Sequence, residues 1–259
     1  MHYTESKAII RSLSFIKLIN LIKLYLSFLL SRFSKKAKIY GQPYALSIEP
    51  TTTCNLGCPE CPSGLKQFSR KTGNLTVELN TKIIDQLHKN LTYINYYFQG
   101  EPYINSKFFD FVKYANSKNI FCSTSTNGHF LSDRNCKRTI ESGLKRLIIS
   151  IDGNNQETYE VYRKNGRYEK VIEGTKNMVK WKKKLKCNYP HIIYQFLVVK
   201  TNEHLVVQMK SLASEIGVEE LRIKTAQFYN FKNGNKLIPE NDKYSRYIKT
   251  GNGQYKLKN

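Results

Sequence analysis

Acidic residues are scarce in this chain. Asp and Glu number 20 among 259 residues against 42 Lys and Arg, leaving a formal charge of +22. The excess implies a basic surface for an acidic partner, or the Lys-rich composition of an A+T-rich genome. The basic residues are dispersed and form no stripe interleaved with aromatics, so nucleic acid is not an implied partner. Proline (7) and glycine (14) are few, which excludes a collagen-like or linker-dominated chain. A P-loop and a hydrolase nucleophile elbow are both missing. Long uninterrupted apolar runs are missing too. The best, residues 12–33, is broken by Lys17 and Lys23. Each lysine near a bilayer centre costs roughly 2.5–3.5 kcal/mol against about 0.3–0.6 gained per Leu, Ile or Phe. That excludes a polytopic membrane protein, and no Ala-x-Ala-like site follows to support a secretory signal. A dispersed disulfide framework is absent as well: three of the six cysteines fall within eight residues, and the compartment reads as reducing and cytoplasmic.

Within residues 12–33, Lys17, Asn20, Lys23, Ser27 and Ser31 are spaced 3, 3, 4 and 4 apart, and Leu, Ile and Phe fill the rest. This predicts an amphipathic helix. Packing of that helix under the next domain is the favoured placement, and contact with a membrane surface is the alternative. Three regions are expected: the amphipathic helix and linker at 1–40, a strand–helix body at 41–226, and a tail at 227–259.

From residue 40 onward, short β-branched and aromatic runs alternate with helical stretches. Strands are predicted at Tyr44–Glu49, Tyr93–Phe98, Phe121–Ser125, Arg146–Ile151, Ile192–Val199 and Glu220–Lys224. Helices are predicted at 76–89, 106–118, 133–142, 156–182 and 203–216. Ser132 and the Thr201-Asn202 pair serve as N-caps, and Gly143 and Gly217 as stops. Strict alternation implies parallel strands with right-handed crossovers. Six units fall short of eight, so the expected fold is α/β: an open partial (βα)6 barrel, with chemistry at the carboxyl ends of its strands.

The first strand runs into Thr51-Thr52-Thr53-Cys54-Asn55-Leu56-Gly57-Cys58-Pro59-Glu60-Cys61. A structural zinc site needs four ligands, and no second Cys/His pair follows. Three thiolates so close suit an iron–sulfur cluster with one iron left open. Cys122 and Cys136 fall inside predicted elements and read as inert.

These residues bring a resemblance into view. Residues 44–226 resemble the core of the radical S-adenosylmethionine (SAM) superfamily, in the branch that usually carries a cysteine-rich SPASM extension. C-x3-C-x2-C is that superfamily's signature. Phe98-Gln99-Gly100-Glu101-Pro102 is similar to its Gly-Glu-Pro motif. Ser125-Thr126-Asn127-Gly128, Ser150-Ile151-Asp152-Gly153 and Glu157-Thr158-Tyr159-Glu160 with Arg163 resemble further blocks. One position departs: the family usually has an aromatic before the third cysteine, and Glu60 stands there, so the loop's adenine contact is left unassigned.

The resemblance implies a [4Fe-4S] cluster on Cys54, Cys58 and Cys61. It also implies SAM held by Gly100, Glu101, Pro102, Asn127, Ser150, Asp152 and Arg163. Glu101 would accept from the SAM ammonium, Ser150 and Asp152 would meet the ribose, and Arg163 would clamp the carboxylate. Each has a plainer role available: a strand-end turn, a helix cap, a surface arginine. The implied activity is reductive cleavage of SAM to a 5′-deoxyadenosyl radical that takes hydrogen from a substrate. The favoured substrate is a peptide or protein side chain, the alternative a small molecule. The implied reductant is an acidic ferredoxin or flavodoxin. No cysteine lies beyond Cys187, so an auxiliary cluster cannot be built. Residues 227–259 are expected to be poorly packed, the start of a missing extension. The non-enzymatic reading is a truncated cluster-binding or interaction module.

Overall fold

Six strands form one parallel sheet in sequential order: β1 (Ala45–Ser47), β2 (Tyr93–Asn95), β3 (Phe121–Thr126), β4 (Arg146–Ser150), β5 (His191–Val198) and β6 (Glu220–Thr225). The structure, a computed structural model, describes residues 3–258; residues 1, 2 and 259, at the margins of the expected first and last regions, lie outside the described residues. A crossover carrying helix joins each strand to the next, and β1 and β6 stay unpaired with each other, so the barrel is open. Every residue of β3 is buried. Leu147, Ile149, Ile192, Tyr194 and Phe196 on the neighbouring strands belong to the same core. Two of the buried β3 hydroxyls find acceptors, Thr124 on the Tyr96 carbonyl and Thr126 on the Glu101 carboxylate, both at 2.8 Å.

The predicted helices appear as α4 (Val77–Leu87), α5 (Phe108–Ser117), α6 (Asp133–Glu141), α7 (Gln156–Tyr162), α8 (Tyr168–Lys184) and α9 (Val206–Ile216). A short α3 (Pro62–Leu65) closes the cysteine loop. Two expectations are corrected. Residues 156–182 are not one helix: the chain breaks so that Arg163 can turn inward, and Asn165 takes the left-handed conformation at φ 64° before α8 begins. Asn202 is no side-chain cap. It accepts from the Val199 amide and donates to the carbonyls of Asp152 and Leu197, tying β5 to the loop after β4.

Upstream, α1 (Tyr3–Ser12) and α2 (Phe15–Ser34) meet at 101°. Glu5 of α1 is fully buried against Arg146, the first residue of β4, which fixes α1 at the amino ends of the strands. His191 and Glu220 converge there with Glu5, but Arg146 and Arg222 already neutralise the two carboxylates. The favoured placement of α2 is corrected in one respect: the face that packs is the polar one. Lys17 donates to the carbonyls of Ser12 and Asn119, Asn20 bonds both backbone groups of Gln42, and Ser27 accepts from the Tyr40 amide. No helix among the described residues is long and apolar enough to cross a membrane.

The tail is also corrected. It folds into a hairpin of β7 (Tyr247–Lys249) and β8 (Tyr255–Leu257). Phe228, Leu237, Ile238 and Tyr247 are buried together with Leu56, Cys58 and Tyr162. Apolar residues too sparse to show periodicity are enough here, because the cysteine loop supplies the opposing surface.

Candidate active site

The three cysteines of the signature gather at the carboxyl end of the sheet, on the loop after β1. They border a cavity of about 560 Å³ whose walls include Gln99, Gly100, Glu101, Asn127, Ser150 and Arg163. All three are free thiols. Burial pushes the Cys54 thiol up to about 11 and raises that of Cys58, partly opposed at Cys58 by Arg163. Asn127 Nδ2 lies 3.8 Å from Cys54 Sγ, Arg163 Nη1 lies 4.0 Å from Cys58 Sγ, and Gln99 Oε1 lies 3.4 Å from Cys61 Sγ. A single zinc ion with Zn–S bonds of about 2.3 Å would hold its sulfurs roughly 3.8 Å apart. Among the described residues, the group close enough to share one ion is Glu5, His191 and Glu220, not the cysteine triad. Three sulfurs spread around one cavity mouth fit a larger cluster with one open corner.

The loop after β2 is pressed against the cysteine loop. Gly100 has φ +77°, and a Cβ there would come within 2.0 Å of the Thr51 carbonyl oxygen, so only glycine fits. Its amide donates to Ser63 Oγ at 2.9 Å and the Glu101 amide donates to the Thr53 carbonyl at 2.8 Å. Glu101 is 1% exposed. Its carboxylate accepts from Thr126 Oγ1 (2.8 Å) and from the amides of Asn127 (2.7 Å) and Tyr103 (3.3 Å). Burial outweighs those bonds and pushes its carboxyl up to about 7. A carboxylate offers about four lone-pair sites, so one remains for a cation in the cavity. Pro102 is not on the cavity wall; it opens the 3₁₀ turn Pro102–Ile104.

Asn127 donates to Asn55 Oδ1 at 2.8 Å, joining the end of β3 to the cysteine loop. Ser150 reaches the cavity opposite Gln195 of β5. Asp152, two residues on, does not line it. Its Oδ2 accepts from Arg163 Nε at 2.5 Å and its Oδ1 from the Leu197 amide at 2.8 Å, with the side chain fully buried. Burial works against the Arg163 cation, but Asp152 and then Cys58 more than restore it. Asp152 therefore positions Arg163, which does border the cavity. The cap of α7 is Asn155, whose side chain accepts from the Thr158 amide, not Asp152.

Several wall residues were not legible from the sequence. Gln195, Lys224, Gln227, Tyr229 and Arg246 come from β5, β6 and the tail and form the outer wall. Glu60 accepts from the Tyr229 amide and from Asn235 Nδ2, both at 3.1 Å. The residue that departs from the family pattern is thus the clip that holds the tail to the cysteine loop.

Residues 48–192 match the radical SAM superfamily, and the chain belongs to that superfamily, whose members use a [4Fe-4S] cluster and SAM. The chain is 28% identical over 176 residues to the AdoMet-dependent heme synthase of Methanosarcina barkeri, an alignment covering 68% of this chain and 48% of that protein. It is 22% identical over 214 residues to the PqqA peptide cyclase of Rhodopseudomonas palustris, covering 82% and 55%. Among solved structures, Streptococcus suis SuiB bound to S-adenosylmethionine superposes with a TM-score of 0.62 at 13% identity, over 77% of this chain and 44% of that one; the likeness is one of fold. The chain spans about half the length of the curated relatives it matches.

Proposed function

We propose that this chain is a SAM-dependent radical enzyme that acts on a peptide or protein side chain. Cys54, Cys58 and Cys61 would hold a [4Fe-4S] cluster, and SAM would occupy the cavity beside it. The observation that carries the reading is the convergence of the three free thiols with the Gly100-Glu101 turn on one cavity. When bound, the cluster supplies the electron that splits SAM and starts radical chemistry. The chain's own residues bind and orient. Glu101 offers its remaining acceptor site to the SAM ammonium. Arg163 keeps Nε on Asp152 and presents its other N–H groups to the carboxylate. Ser150 and Asn127 offer hydroxyl and amide partners to the nucleoside. The tail, clipped by Glu60, covers part of the mouth and limits water.

The peptide substrate is supported by the peptide cyclase relative. A small-molecule substrate is the second reading, favoured by the higher identity to the heme synthase. An acidic ferredoxin or flavodoxin is the proposed reductant, drawn by the +22 charge. The test is anaerobic reconstitution followed by dithionite and SAM. The expected results are about four irons and four sulfides per chain and formation of 5′-deoxyadenosine. All of these should be lost in the C54A/C58A/C61A variant. One tightly held zinc per chain would overturn the cluster assignment. A bound cluster without SAM cleavage would favour a cluster-binding module. Deuterium transfer into 5′-deoxyadenosine from labelled peptide, and not from labelled small molecules, separates the two substrate classes.

A further inference from the structure

The helix α2 is built with its polar stripe inward and its apolar stripe outward. Lys17, Asn20 and Ser27 are buried, while Phe15, Leu18, Ile22, Leu26 and Phe33 stand in solvent. Those five lie at intervals of 3, 4, 4 and 7 residues, which puts them on one line along the outer face of a helix. Phe15 is 77% exposed, Ile22 51% and Phe33 82%. Single exposed apolar residues are ordinary, but a continuous stripe over a 20-residue helix marks a surface made to be covered. Two exposed cations flank the stripe: at about 100° per residue, Lys23 and Arg32 project roughly 90° to either side of it. Beyond the helix, Lys35, Lys36 and Lys38 are exposed, and Glu5, the acidic residue among positions 3–48, is buried on Arg146.

We propose that α2 docks in the plane of an anionic lipid surface, with its apolar stripe in the acyl boundary and the flanking cations at the headgroups. Apolar centre, basic margins and no exposed acid among residues 3–48 make up the pattern of an interfacial helix. Long basic side chains at the margins can extend to the phosphates. A second copy of this chain meets a cost that lipid does not. Packing two stripes face to face would bring the basic margins together, and like charges across an interface oppose association. No single helix among the described residues is long and apolar enough to span, and α1 and α2 are bent by 101° where they meet, with Glu5 of α1 held on Arg146. Through Lys17 on Asn119 the helix is anchored at the amino ends of the strands, opposite the cysteine loop. Docking therefore leaves the cavity mouth open to substrate and reductant. This inference does not rest on the cluster chemistry, and its test does not read that chemistry.

The experiment is flotation of the full chain with vesicles of phosphatidylcholine alone and with vesicles enriched in phosphatidylglycerol. Partitioning onto the anionic vesicles should exceed that onto the neutral ones by at least tenfold and weaken with salt. The variant I22D/L26D alters exposed positions and should melt as the parent does, yet lose vesicle binding at least tenfold. K23E/R32E should lose the preference for anionic lipid. Ile22→Trp should add a fluorescence component that shifts to the blue when anionic vesicles are added. Equal recovery with and without vesicles, or an unshifted Ile22→Trp emission, overturns the proposal. So does a dimer in solution that I22D/L26D converts to monomer without any vesicle binding, since that would assign the stripe to a second copy.

Discussion

Removing the Asp152 carboxylate should be among the most damaging single changes available near the cavity. The side chain is fully buried and holds two partners, Arg163 Nε at 2.5 Å and the Leu197 amide at 2.8 Å. Asp152→Ala leaves a guanidinium with no counter-charge in a site where only 15% of its own side chain meets solvent. Breaking a buried pair from one side costs about 3–5 kcal/mol. The orphaned Leu197 N–H costs about 1–3 kcal/mol by itself, which places the expected loss in the upper half of that range. At roughly 2–4 °C per kcal/mol for a chain of this size, the melting point should fall by about 8–20 °C. The assay is urea unfolding of D152A, R163M and the double variant. The double variant should be less damaged than D152A, because no unpaired charge stays behind, with a coupling energy of at least ~2 kcal/mol. If D152A unfolds within about 1 kcal/mol of the parent, or the two losses simply add, then Asp152 does not hold Arg163 and the positioning argument fails.

Other consequences follow from the same loops. Gly100→Ala must place a Cβ against a backbone carbonyl at φ +77°, which costs about 1–2 kcal/mol in conformation alone and forces the loop off Thr51; iron retained after reconstitution should drop well below the parent's, measured by a ferrozine assay. Glu101 is pushed up to about 7 by burial, so below that pH the carboxyl is neutral in the free chain and a cationic ligand must ionise it first. SAM affinity should therefore weaken by up to about tenfold per unit as pH falls below 7, and Glu101→Gln should bind weakly without that acid-side loss in equilibrium dialysis. Glu60→Ala removes both acceptors that clip the tail; amide exchange across residues 229–235 should accelerate, while the global melting point moves little because Phe228, Leu237 and Ile238 remain buried.

The body of the fold was readable because its signals are local. Arg146–Ile151 was predicted as a strand and Arg146–Ser150 is one; Ser132 was predicted to cap α6 and accepts from the Asn135 amide. Gly143 and Gly217 end their helices at φ +82° and +90°. The site was readable where a motif names adjacent residues, as in the cysteine loop. It was not readable where the wall comes from distant parts of the chain. Nothing in the local pattern joins Tyr229 and Arg246 to Cys61, because their meeting depends on the tail packing against the cysteine loop, to which Glu60 adds a clip about 170 residues away in sequence. Asp152 shows the converse. The resemblance paired it with Ser150 at the ribose, but an arginine eleven residues on took its carboxylate, and of the two only Ser150 is on the cavity wall.

The orientation of α2 has a different origin. Periodicity establishes that a helix has two faces; it does not say which of them meets protein. The usual inference sends the apolar face inward, since burying it gains about 25 cal/mol per Å². That inference assumes the surface underneath is apolar. Here the polar face meets the stretch at residues 38–42, which returns toward β1 outside any strand, with its backbone groups open to side-chain partners. Unpaired backbone groups in contact with another element need partners. Asn20 supplies both for Gln42, Ser27 supplies one for Tyr40, and Ser31 accepts from the Lys38 amide. Gly41 allows the approach: a Cβ there would come within 2.7 Å of Leu24. The polar stripe is thus taken up by this backbone, and the apolar stripe is left on the outside. The sequence feature that decides the matter is the adjoining segment Lys38–Gln42, whose extended course past α2 demands hydrogen bonds, rather than anything in the helix itself.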